Sequence, residues 1–72
     1  MKGKEIQEKV ERTISDIFEY IKVDVERAIS RYIKDERLKS ELLGDVFDLL
    51  DYYETDLTYD VLKIIARAGK HD

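Results

Sequence analysis

Apolar residues recur every three or four positions from Ile6 to Ile33. Ile6, Val10, Ile14, Ile17, Ile21, Val25, Ala28 and Tyr32 make one stripe, and Phe18, Ile29 and Ile33 run along its flank. That spacing is one face of an α-helix, and no Pro or Gly interrupts it. It predicts a helix over about 4–34, roughly 45 Å long at about 1.5 Å per residue. Two tracks repeat after eleven residues: Val10, Ile21, Tyr32 and Ile6, Ile17, Ala28. Eleven residues in three turns is about 3.67 per turn, which favours a straight bundle helix over a left-handed heptad coiled coil. The weak point is Lys22–Val25, where Asp24 could cap a new helix; a continuous helix is the expectation.

Asp35 has the chemistry of an N-cap and predicts a second helix over about 36–53. Leu38, Leu42, Val46, Leu49 and Tyr53 form its row, with Leu43, Phe47 and Leu50 beside it. The apolar arc is close to half the circumference, wider than one neighbour requires. Thr58 reads as the cap of a third helix over about 59–68, with Asp60 in its first turn and a Leu57–Leu62 staple. Val61, Leu62, Ile64, Ile65 and Ala68 would be its buried face. Gly69 would be the C′ residue, with Arg67, Lys70 and His71 near the negative end of the dipole.

The predicted fold is all-α: one long N-terminal helix packed against two shorter ones, in a single domain over 1–72. Leu38 to Tyr53 would line the long helix from Tyr32 back to Phe18, and the third helix would cover Ile14, Val10 and Ile6. The flank at Phe18, Ile29 and Ile33 would stay uncovered, as would part of the second helix's wide arc. A second copy would close this into a four-helix core, so a homodimer is expected. Chain length points the same way. A core this small usually needs an added stabiliser, and without cysteine, oligomerisation is the one that remains.

Composition narrows the function classes. The net charge is −4 and the pI about 5.0, so no whole-protein basic field exists for nucleic acid. Hydrophobic content of 43% with regular periodicity sets the chain apart from disordered sequences of similar charge. Asn, Cys, Pro and Trp are absent while Glu, Lys, Arg, Ile and Tyr abound, a pattern shared with hyperthermophile proteins. No apolar run reaches the length of a membrane span, so no membrane association and a cytoplasmic location are expected.

Candidate chemistry is sparse. Asp45, Asp48 and Asp51, followed by Glu54, Asp56 and Asp60, form an acidic row. Bundle metal sites need inward carboxylates with a Glu-x-x-His partner, and calcium loops need alternating ligands around a Gly; neither pattern is present. The row reads as a solvated face or a contact for a basic partner. Arg27, Arg31, Lys34, Arg37 and Lys39 form the only local basic cluster. It could meet phosphates, complement the helix dipole, or form ion pairs with Glu41 and Asp45. Tyr20 and Tyr52 fall outside the stripes, as exposed aromatics that suit an interface.

His71 is the sole histidine, and Ser15, Ser30 and Ser40 are assigned to helix surfaces. No nucleophile–base pair and no Gly-rich phosphate loop can be assembled. The sequence therefore reads as a non-enzymatic protein–protein interaction or regulatory module without a cofactor. It would use Tyr20, Tyr52, Asp45, Asp48 and Asp51 toward an unidentified protein partner. The alternative is a small DNA- or RNA-binding regulator using the basic cluster, which the net charge disfavours.

Overall fold

The computed structural model describes residues 2–69 as an antiparallel hairpin of two α-helices. Helix α1 spans Lys2–Tyr32 and α2 spans Glu36–Gly69. They are joined by the three residues Ile33 to Asp35. The hairpin measures 55 × 15 × 13 Å. The all-helical class matches the expectation, and α1 passes through Asp24 without a break.

The second start comes where the side chains dictate. Asp35 Oδ1 accepts hydrogen bonds from the backbone N–H groups of Arg37 (2.9 Å) and Leu38 (3.1 Å). Two donors that have no partner within the helix are thereby satisfied by one carboxylate. Across the turn, Lys34 Nζ donates to the Ser30 carbonyl at 3.2 Å, covering one of the acceptors left open at the end of α1.

The expected third helix is not separate. Residues 54–58 continue α2, so the two shorter helices are one element of 34 residues. Thr58 does not cap; it lies half-buried within the helix. Caps are local preferences of about 1 kcal/mol, whereas breaking a helix opens up to four donors and four acceptors. Nothing in Tyr53–Thr58 forces that opening, since the stretch holds neither Gly nor Pro. Continuity also gives α2 a length of about 50 Å at the usual rise, enough to pair with all of α1. Gly69 is the last helical residue, and no glycine among the described residues has a positive φ, so the expected left-handed C′ conformation is not adopted there. The readings placed on Lys70 and His71 lie outside the described residues.

The seam between the helices takes in the flank expected to be left over together with part of the expected stripe. Ile14 and Phe18 are the two buried hydrophobic residues among those described, at 7% and 8% exposure. Val10, Val25 and Ile29 on α1 and Ile33 in the connection are half-buried, as are Leu42, Leu43, Val46, Phe47, Leu50, Val61, Leu62 and Ile65 on α2. Ile6, Ile17, Ile21, Ala28 and Tyr32, expected in the core, are exposed. Leu38, Leu49 and Tyr53 are displaced in the same way on α2, and so are Ile64 and Ala68. Ser15 and Ser30, assigned to the surface, are half-buried instead. The periodicity holds, but the seam is rotated: Val10, Ile14 and Val25 of the expected stripe stay in it, and the rest of that stripe gives way to the flank of Phe18, Ile29 and Ile33. A wide apolar arc contains two half-stripes, and the pairing found here brings the chain's two phenylalanines, Phe18 and Phe47, into the seam.

Candidate functional site

The displaced residues form a surface. On each helix the exposed apolar track lies roughly 90° behind the seam track, counted along the chain at about 100° per residue. Antiparallel neighbours facing one another are related by a local twofold axis normal to their common plane. Equal offsets therefore fall on the same side. Ile6, Ile17 and Ile21 of α1 thus share one broad side of the hairpin with Leu49, Tyr53 and Leu57 of α2. Ile17 is 50% exposed and Tyr53 55%, and Ile64, nearer the open end, reaches 61%.

One ion pair marks the opposite side of the hairpin. Lys22 Nζ donates to Asp51 Oδ1 at 2.6 Å, bridging the helices. Both residues lie ahead of the seam track, so they occupy the other broad side. That side is mainly polar: Glu19 and Glu26 of α1 and Ser40, Asp48 and Thr55 of α2 sit there, with the exposed Val23 and Tyr59 among them. The hairpin therefore has an apolar side and a polar side.

The Lys22 ammonium is held above its ordinary value, first by the hydrogen bond to Asp51. Partial burial opposes the shift, and the charges of Asp51, Glu19 and Glu54 add to it. The ammonium also lies 5.9 Å from the centre of the Phe47 ring, within cation–π range. Asp51, expected on a solvated face or against a basic partner, is the cross-helix partner of a lysine of its own chain. Pairing of Arg27 or Arg31 with Glu41 or Asp45 is not found among the described residues, where Lys22–Asp51 is the one ion pair between helices.

The remaining sequence candidates separate. Tyr20 and Tyr52 are exposed but lie on different helices, and Tyr52 packs edge-on against Tyr53 with ring centres 5.7 Å apart. Asp45 and Asp48 are exposed on α2. Of the basic cluster, Arg37 pairs with Glu41 at 3.7 Å and Lys39 with Glu36 at 3.1 Å, both within α2. Lys34 caps the end of α1, and Arg27 and Arg31 are exposed on α1. The structure does not gather these five cations into one pocket. Among the described residues no three His, Asp or Glu side chains converge as a metal site would require, and no helix is long and apolar enough to cross a membrane.

No protein-family model, no curated protein and no solved structure matches this chain. Sequence reasoning found the width of the apolar arcs but assigned these exposed residues to the core. The signal that could have placed them is the phase of α2. Leu43, Glu54 and Ile65 repeat after eleven residues, as do Lys39, Leu50 and Val61. That repeat crosses the expected break without a shift.

Proposed function

We propose that the protein is a non-enzymatic interaction module that works as a homodimeric helical bundle, with the apolar side of the hairpin as its dimer surface. The observation that carries this reading is the exposed apolar side contributed jointly by α1 and α2. Its extent is quantitative. The chain exposes 6140 Å², against about 4,700 Å² expected for a compact monomer of its mass. Its radius of gyration is 16.5 Å, where a compact domain of this length has about 11 Å. An excess of about 1,500 Å² per chain, covered by a copy of itself, corresponds to the interface size of obligate homodimers. Isolated single exposed hydrophobes are ordinary, but a continuous apolar side of this length marks an interface.

In this reading the outer faces, with Tyr20, Tyr52 and Asp48, are what the dimer presents to a further protein partner in the cytoplasm. The nucleic-acid reading has less to draw on, since Arg37 and Lys39 each lie beside a carboxylate of their own helix. Light scattering behind a sizing column tests the proposal. The expected mass is twice 8.5 kDa. A stable, helical monomer at micromolar concentration would overturn it.

A further inference from the structure

The charges bordering the apolar side differ in sign between the two helices, and that decides how a second copy sits. On α1 the border carries Lys9 and Arg31, and on α2 it carries Asp45, Asp56 and Asp60; all five are exposed. Asp24 on α1 and Arg67 on α2 each oppose this trend by one charge, leaving α1's border net positive and α2's net negative. None of the seven takes part in the ion pairs found within the chain.

Two closed arrangements of a twofold pair can bury the apolar side. With the axis across the hairpins, the turns lie at opposite ends, and α1 faces the partner's α1 while α2 faces the partner's α2. Like-signed borders then meet. When the apolar tracks overlap fully, Lys9 lies level with the partner's Arg31, and Asp45 with the partner's Asp60. With the axis along the hairpins, the turns lie together and α1 faces the partner's α2. Opposite borders then meet. The Lys22–Asp51 pair sets the levels within a chain, and an axis along the hairpin carries the same levels across the interface. Arg31 comes within about 5 Å axially of the partner's Asp45, and Lys9 within about 6 Å of the partner's Asp60. These are distances that long side chains span.

Resting on the dimer reading above, we infer that two copies pack with both turns at the same end, α1 of each lying over α2 of the other. The apolar residues agree with this register. Ile17 meets the level of the partner's Leu57, and Ile21 that of the partner's Tyr53. Rim charges contribute little affinity singly but choose between arrangements of equal apolar burial.

The absence of cysteine makes single labels clean. Spin labels on Lys34→Cys, measured by dipolar spectroscopy on the full chain, should give a separation of roughly 15–30 Å, since neighbouring helices lie about 10 Å apart. A separation of about 40 Å or more, the axial offset of turns at opposite ends, would overturn the orientation while leaving the dimer intact. A monomer mass without dipolar coupling would overturn the dimer reading itself, and this inference with it. Lys9→Glu gives an independent sign. In the arrangement inferred here it raises the dimer dissociation constant about three- to tenfold, and adding Asp60→Lys restores it. With the turns at opposite ends Lys9→Glu would relieve its repulsion with the partner's Arg31 and tighten the dimer, which would also overturn the inference.

Discussion

Replacing Ile17 by aspartate separates a hairpin that stands alone from one that is half of a bundle. In the single chain Ile17 is 50% exposed, so the hairpin's own contacts bury only half of it. Full burial of an isoleucine side chain stabilises by about 1.5–3 kcal/mol, so the loss within one chain is about 1 kcal/mol. In a dimer the other half is buried too, once in each copy. That adds about 2 kcal/mol of lost apolar burial, or roughly thirtyfold in the dissociation constant. Two carboxylates would also be forced into an apolar layer, at a cost of several kcal/mol each unless they are protonated. The assay is helical circular dichroism against temperature over a hundredfold range of concentration. For the wild type, a coupled dimer gains about 2.7 kcal/mol over that range, which raises the midpoint by about 5–10 °C at the usual 2–4 °C per kcal/mol for an assembly of this size. Ile17→Asp should melt much lower, with a midpoint independent of concentration. A wild-type midpoint that does not move with concentration, together with a variant shifted only by the single-chain loss, would show that the hairpin stands alone.

Three further outcomes follow from local geometry. Gly44 sits inside α2 with nothing within 4 Å of where a Cβ would be, and on the polar side, so Gly44→Ala should stabilise by about 0.5–1 kcal/mol in urea titration. Asp35→Ala removes the acceptor for two backbone donors at the start of α2 and should cost about 1 kcal/mol, while Asp35→Asn restores most of it. Lys22 has its folded-state value raised, so its pairing stabilises fully below the unfolded lysine value, 10.5, and the contribution fades as pH rises through the higher folded value. The stability gap between wild type and Lys22→Gln should therefore be constant at neutral and mildly alkaline pH and shrink above about 10.5; a gap that widens there would contradict the pairing with Asp51.

What could be read from the residues divides along physical lines. Asp35 as a cap was legible because the motif is local: an acceptor one residue ahead of the first helical turn acts the same way in any fold. The continuity of α1 was legible because its apolar phase never shifts. The expected break before Thr58 had the same kind of evidence against it, since Leu43, Glu54 and Ile65 keep one phase across it. Two separate helices have no reason to share a phase. Glu54 obscured the signal by placing a charge on the seam track, where it lies half-buried and adds to the field that holds the Lys22 proton.

The displaced seam has a different origin. A stripe's spacing reports that a face is covered, and its width reports how many neighbours cover it, but neither says which neighbour comes from the same chain. Phe18, Ile29 and Ile33 compete with Ile6, Ile17 and Ile21 on equal hydrophobic terms. The choice falls to complementarity with α2, a property of two segments jointly. Lys22 shows how that choice is made. With Phe18 in the seam, Lys22 stands at its polar edge, where it reaches Asp51 at 2.6 Å and lies over Phe47. Rotating α1 to bury Ile17 and Ile21 instead would carry Lys22 away from α2, leaving Asp51 without that cation. A half-exposed pair is worth little as an energy, yet it is a contact that only one of the two seams makes. The same logic governs the next level of assembly. The apolar side supplies the drive to associate, and the opposite-signed borders of α1 and α2 supply the difference between one orientation and the other.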